Sequence, residues 1–378
     1  MTKKIKVIKV LVVDDSPIAL IVLKRIFATS PEIEVIGTAK NGLEALKLIP
    51  QLQPDVICTD LHMASMNGLE FTREVMQKYP RPILVISSSV QEDDQHNIFQ
   101  LLEAGAVDVF PKPETGLTAD YGTIQQELIN KIKILSGVKV FTRRHRHINR
   151  VNQEHRQQFF VRNIQDKLVK SPIVSPPQTI PKDPRYSKKI IKILAIGSST
   201  GGPEALKTIL HDLPSTFPVP IICVQHISNG FLTGLVNWLA NESKLPVKIA
   251  ISGELPQAGV IYFPPEEHHL ELNNWGKFVC SKTPAIGGHR PSITVTFNSV
   301  ANFYRSSAAG VLLTGMGRDG ADGMLAISQV GGLTIAQDEA SSIIFGMPKE
   351  AIALGAAQYI LSINDISSML LNYIGRGR

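Results

Sequence analysis

Two runs of alternating apolar and helix-like segments, separated by a single interruption, constrain this chain more than any other feature. In the first run, short apolar stretches at 7–13, 33–38, 55–59, 83–86 and 107–110 alternate with amphipathic stretches at 17–28, 42–49, 68–79, 94–103 and 123–135. Five strand-then-helix units predict a parallel sheet with both faces covered, because each crossover helix must bury its apolar stripe on the sheet. The alternation resumes later, with strands expected at 190–196, 219–224, 247–250, 260–263, 310–313 and 333–336 and helices at 203–210, 231–240, 293–304 and 324–330. A hairpin is expected at 270–280, turned by Asn273, Asn274 and Gly276. The fold class is therefore α/β, with two doubly wound parallel-sheet domains at 5–135 and 189–378. A chain of 378 residues exceeds what one compact core holds, which agrees.

The interruption, 136–188, is different in kind. Eight Lys and Arg side chains between Arg143 and Lys170 face only Glu154 and Asp166, and Pro172, Pro176, Pro177, Pro181 and Pro184 follow. Such a composition buries little and reads as a linker. It also holds much of the formal net charge of +6. With no aromatic interleaving and no nucleic-acid-binding motif, that charge does not predict a nucleic-acid partner. Cys58, Cys223 and Cys280 lie in apolar runs without metal-ligand spacing, so buried thiols in a reducing compartment are expected. Asp14 and Asp15 break the apolar run that follows the charged start, so neither a signal peptide nor a membrane span is expected and the location is cytoplasmic.

Ligands of such sheets gather at the carboxyl ends of strands. In the first domain those ends carry Asp14 and Asp15 after the first strand, Asp60 after the third, Ser87 after the fourth and Lys112 after the fifth. Three carboxylates aimed at one crevice repel unless a hard divalent cation neutralises them, and Mg²⁺ is expected where few protein ligands are offered. A hydroxyl and an ammonium beside them suit the oxygens of a phosphoryl group.

These residues, with Lys112-Pro113, make the first domain resemble the receiver domain of two-component response regulators, a flavodoxin-like fold. The resemblance implies that Asp60 accepts a phosphoryl group from a histidine kinase. It also implies that Asp14, Asp15 and Asp60 place Mg²⁺ with the His62 carbonyl, that Ser87 switches, and that Lys112 pairs with the phosphate. Two positions depart from the pattern. Ala64 stands where the family usually has proline, and Val109 where an aromatic is frequent, with Phe110 beside it.

In the second domain the first strand ends Gly197-Ser198-Ser199-Thr200-Gly201, which satisfies G-x-S-x-G on a strand-turn-helix. The next strand ends at His226 and a later one leads to Asp319, with Asp322 as a competitor. A serine needs a base, and the base needs a carboxylate to fix its tautomer. The glycines let backbone N–H groups approach a developing oxyanion. A simpler reading makes Ser198, Ser199 or Thr200 a helix cap. A phosphate-binding loop is disfavoured, since G-x-G-x-x-G fails and no lysine follows. The order Ser-His-Asp also differs from the Ser-Asp-His of α/β-hydrolases. His268 and His269, beside Glu266 and Glu267, lack helical ligand spacing and are expected at the surface or in a cleft.

The stretch 196–202, Val224-Gln225-His226, Gly288-His289-Arg290-Pro291-Ser292, 313–320, Ala336-Gln337-Asp338-Glu339 and Phe345-Gly346-Met347-Pro348 together resemble the chemotaxis protein-glutamate methylesterases, the CheB family. The resemblance implies a Rossmann-like methylesterase domain behind the receiver. In it Ser199 is the nucleophile, His226 the general base then acid, Asp319 its orienting partner, and Thr200 and the Met316 backbone the oxyanion contacts. The implied substrates are γ-glutamyl methyl esters of methyl-accepting chemotaxis receptors, with release of methanol, and receptor glutamines as possible amide substrates. Phosphate comes from the chemotaxis histidine kinase, Mg²⁺ serves the receiver, and ester hydrolysis needs no cofactor. A monomer without membrane insertion is expected. Where the family often has methionine and proline after the histidine, this chain has Ile227 and Ser228. The rival expectation is a response regulator whose second domain only binds partners.

Overall fold

The computed structural model describes residues 6–87, 92–113, 121–140 and 190–374. Of the expected linker at 136–188, the residues from 141 on lie outside the described residues.

The first ten elements are β1 (Ile8–Val13), α1 (Pro17–Ala28), β2 (Ile33–Ala39), α2 (Gly42–Leu52), β3 (Val56–Thr59), α3 (Gly68–Lys78), β4 (Ile83–Ser87), α4 (Glu92–Ala104), β5 (Asp108–Pro111) and α5 (Tyr121–Leu135). Their strands form one parallel sheet in the order β2-β1-β3-β4-β5. The strand order reverses between β1 and β3, so a crevice opens beyond their carboxyl ends, where Asp14, Asp15 and Asp60 emerge. The strands are apolar on both faces because helices cover both: Leu11 and Val13 face one apolar cluster, Val10 and Val12 the other.

The second set runs β6 (Ile193–Ser198), α6 (Gly202–Asp212), β7 (Ile221–Gln225), α7 (Leu232–Glu242), β8 (Val247–Ile249), β9 (Ile261–Phe263), β10 (His269–Leu272), β11 (Phe278–Ser281), α8 (Ile293–Tyr304), β12 (Ala308–Leu312), α9 (Ala321–Gln329), β13 (Leu333–Gln337), α10 (Met347–Ala353), β14 (Tyr359–Leu361) and α11 (Ile363–Ile374). Seven strands pair in parallel, in the order β14-β13-β12-β6-β7-β9-β8, and β10 with β11 makes the separate antiparallel hairpin. Here the order reverses at β6, flanked by β7 and β12. The loops after these three strands carry Ser199, His226 and Asp319.

Both domains are thus doubly wound parallel α/β sheets, as the alternation implies. The sequence pattern did not bring out β14, α10 and α11. It also started α9 three residues late; the helix begins at Ala321, with Gly320 at φ 87° as its N-cap.

Candidate functional site

The turn that carries Ser199 is built by backbone. The β6–β7 register pairs Ser198 with Gln225, and the ladder continues as His226 N–H donates to the Ser198 carbonyl at 3.0 Å. On the other side Ser199 N–H donates to the Thr314 carbonyl, also at 3.0 Å. Ser199 therefore stands between the loop after β7 and the loop after β12. Gly315 makes the second approach possible: a Cβ there would lie 2.7 Å from the Ser199 Cβ.

The two serines are held differently. Ser198 is fully buried and its Oγ donates to Gln225 Oε1 at 2.6 Å. The Gln225 amide then donates to the carbonyls of Ser199 (2.9 Å) and His226 (2.7 Å), which ties the turn to the β7 end. Ser199 is half-buried, and its hydroxyl has no hydrogen-bond partner among the described residues. Neither serine caps α6. That helix has Gly201 at its N-cap, φ 77°, and no side-chain cap bond, so the capping reading does not hold. Gln225 is the residue that motif reasoning passed over, although a polar side chain ending an otherwise apolar strand is a signal.

His226 Nε2 lies 2.9 Å from Asp319 Oδ2, both side chains being nearly enclosed. A carboxylate there favours the tautomer with hydrogen on Nε2, which leaves a lone pair on Nδ1. That Nδ1 is buried and has no hydrogen-bond partner among the described residues. Asp319 is itself fixed at the start of α8. It accepts from Ser292 Oγ (2.8 Å) and from the N–H groups of Ile293 (2.8 Å), Thr294 (3.0 Å) and Gly320 (2.9 Å). Burial works to raise its pKa, but the hydrogen bond and charge of His226, with the Thr294 bonds, outweigh burial and hold the carboxyl well below the usual range. The competitor Asp322 instead forms an ion pair with Arg318 at the surface, 2.7 Å.

The amide N–H groups of Thr200 and Met316 donate to no residue among those described. Thr200 is buried; its carbonyl accepts from Thr314 Oγ1 at 3.0 Å, and its hydroxyl donates to Asp108 Oδ2, in β5, at 3.0 Å. Met316 is half exposed. The expectation for the paired histidines is corrected in one case. His269 is neither surface nor cleft but fully buried: its Nδ1 accepts from Ser292 N–H at 3.1 Å and its Nε2 donates to the Pro284 carbonyl at 3.2 Å. Both ring nitrogens are satisfied, so it supports the loop that carries Ser292.

In the first domain Lys112 Nζ lies 2.8 Å from Asp60 Oδ2 and 2.7 Å from Asp14 Oδ2. The Asp14 contact is a charge contact without hydrogen-bond alignment, so Asp14 Oδ2 lacks a donor. Burial, assisted by repulsion from Asp60, outweighs the Lys112 contact and the Ser16 bond and raises the Asp14 pKa. Oxygens of Asp14, Asp15 and Asp60 lie within 4.8 Å of one another. An under-donated buried oxygen in a carboxylate trio fits a hard divalent cation. Ser87 is buried at the β4 end, and its carbonyl accepts from Lys112 N–H at 2.9 Å.

The receiver also touches the second domain. Phe99 of α4 stacks on Trp238 of α7 with ring centroids 5.3 Å apart. Lys207 of α6 pairs with Glu103, whose Oε1 also accepts from Trp238 Nε1 at 3.2 Å. With the Asp108–Thr200 bond, these contacts reach the residue next to Ser199.

A receiver-type sheet ahead of a second parallel sheet with serine, histidine and aspartate at adjoining strand ends defines a response regulator with a hydrolase as its output. Residues 10–118 match the family model of the response regulator receiver domain, and residues 194–370 that of CheB methylesterase. A protein of Nitrosospira multiformis named protein-glutamate methylesterase/protein-glutamine glutaminase is 39% identical over 97% of this chain and 97% of its own length. One so named from Syntrophus aciditrophicus is 37% identical over 97% of this chain and 99% of its own. The crystal structure of the Thermotoga maritima CheB methylesterase catalytic domain is 40% identical, covering 49% of this chain and 99% of that one, with a TM-score of 0.48. The chain belongs to the CheB family of protein-glutamate methylesterases, and it is a phosphorylation-regulated serine hydrolase.

Proposed function

We propose that this chain removes methyl groups from γ-glutamyl methyl esters of methyl-accepting chemotaxis receptors, with Ser199, His226 and Asp319 as the reacting set. The observation that carries the assignment is the His226 ring: one nitrogen bonded to Asp319, the other buried and without a hydrogen-bond partner among the described residues, on the strand end paired with that of Ser199. Ser199 Oγ attacks the ester carbonyl as His226 Nδ1 takes its proton. The tetrahedral oxyanion accepts hydrogen bonds from the Thr200 and Met316 amides. As the carbonyl reforms, the C–OCH₃ bond breaks and His226 returns the proton, so methanol leaves. Water then attacks the glutamyl-Ser199 ester by the same route, giving the carboxylate and free Ser199. With a glutamine side chain, ammonia leaves in place of methanol.

Asp60 is the phosphoacceptor, with a chemotaxis histidine kinase as donor. Asp14, Asp15 and Asp60 would hold Mg²⁺, whose charge offsets that of the phosphoryl oxygens. Lys112 follows the phosphoryl group, and Ser87 lies at the neighbouring strand end. Without phosphate, the receiver restrains the nucleophile turn through Asp108 and Thr200, and phosphorylation shifts the population toward an open site. One chain supplies every reacting group, which supports a monomer. Among the described residues no helix is long and apolar enough to cross a membrane, which supports action in the cytoplasm on the receptor's cytoplasmic bundle.

A fluorophosphonate probe followed by peptide mass mapping tests the assignment. The label should fall on Ser199 and depend on His226; labelling of Ser198, or undiminished labelling of His226→Ala, overturns it.

A further inference from the structure

The face of His226 is covered by a second histidine. His289 stacks on it with ring centroids 3.9 Å apart and planes 3° from parallel. Nothing in the triad chemistry requires this ring, and it comes from a different part of the chain, the strap between β11 and α8.

The strap is built to hold it. Gly287 and Gly288 adopt φ of 60° and 86°, and the backbone closes on itself as Ile286 N–H donates to the His289 carbonyl (3.1 Å) and His289 N–H to the Ile286 carbonyl (3.0 Å). Beyond it, Arg290 pairs with Glu267 at 2.6 Å, and Ser292 Oγ donates to Asp319. With the Pro284 carbonyl held by His269, the strap is therefore anchored on both sides of His289, and on the later side to the same carboxylate that orients His226.

Resting on the assignment of His226 as the base, we infer that His289 is a positioning residue: its stacked ring keeps the His226 imidazole in the one rotation that points Nε2 at Asp319 and leaves Nδ1 for the proton of Ser199. A single hydrogen bond to Asp319 leaves the imidazole free to tilt about it. Edge-to-face ring pairs need centroid separations nearer 5 Å than 4 Å. At 3.9 Å, His226 cannot turn on edge without displacing His289. A half-turn would put carbon where Nδ1 and Nε2 now lie, ending both roles.

The ring must also stay uncharged, since a second imidazolium would repel the one formed on His226 during turnover. Burial, and then the charge on His226, push the His289 pKa down to about 4, against the opposing pull of Asp319. Arg290, next to His289 in the strap, is paired with Glu267, and Lys282 at the start of the strap is exposed to solvent. A neutral ring face toward a cation is attractive.

The test compares three replacements in the full-length protein, with methylated receptor as substrate. His289→Ala should lower kcat by about 10² while KM changes less than about twofold, the size expected for a misplaced reacting group. His289→Phe, a flat ring that cannot ionise, should recover most of the loss, whereas His289→Leu, equally apolar but not flat, should not. The low-field proton resonance of the His226–Asp319 hydrogen bond should broaden or vanish in the Ala and Leu variants and persist with Phe. Wild-type kcat in His289→Ala overturns the inference, as does rescue by Leu equal to that by Phe. If Ser199→Ala is inactive while His289→Ala is unimpaired, only this inference falls; if Ser199→Ala keeps its turnover, the assignment beneath it falls.

Discussion

Ser198 and Ser199 are adjacent, alike in sequence and opposite in the roles proposed for them. Ser198→Ala removes one buried bond to Gln225 and should cost about 1 kcal/mol of stability, with kcat retained within about tenfold. Asp319→Asn should be far worse for turnover. An amide in that place no longer enforces hydrogen on Nε2, and kcat should fall on the order of 10³–10⁴ with KM preserved. Steady-state kinetics on both variants checks the pair; comparable losses would contradict the separation of roles. His289 makes a prediction about stability as well. Its pKa is about 4 in the fold against 6.5 for an ordinary histidine, so between those values the unfolded chain binds more protons. Stability should then rise with pH across that window, by at most about 3 kcal/mol. Urea unfolding at pH 4 and pH 7 measures the slope, which should shrink in His289→Phe; an unchanged slope would assign the acid sensitivity to other groups.

At the scale of elements, the interdomain contact is concentrated on α4, α6 and α7. Stacking of Phe99 on Trp238 contributes about 0.5–1.5 kcal/mol beyond its buried area, and Glu103 joins it to Lys207. Glu103→Lys places two ammonium groups together there and should raise turnover of the unphosphorylated protein severalfold. Basal turnover equal to that of the wild type would show that this contact does not restrain the site. Much of the architecture was legible because parallel strands buried on both faces must be apolar throughout, as residues 10–13 and 193–196 are. Some elements without that requirement were not legible. β14 is three residues at a sheet edge with Ile360 half exposed, and α10 is a seven-residue helix opening on Met347-Pro348. Strand ends brought Ser199, His226, Asp319, Asp14, Asp15, Asp60, Ser87 and Lys112 forward as candidates because a parallel sheet delivers those ends to one edge. The supports were less legible. Gln225, Ser292 and His269 act through contacts across long separations in sequence, and His269 was misplaced because its acidic neighbours made a buried, fully bonded ring look solvated.

For the whole molecule, the claim is that chemistry at Asp60 changes the exposure of Ser199 without changing the reaction. Acetyl phosphate with Mg²⁺ should raise methanol release by the wild type and leave Asp60→Asn unmoved; equal stimulation of both would contradict phosphoacceptance at Asp60. The route is short, because β5 carries Asp108, which holds Thr200, and Lys112, which contacts Asp60, follows directly after it. The most direct test of the account is methanol release from a methylated receptor by the Ser199→Ala variant. The account predicts a fall in kcat on the order of 10⁶ with the fold and the receiver's phosphorylation intact. Turnover at the wild-type rate in that variant would contradict it.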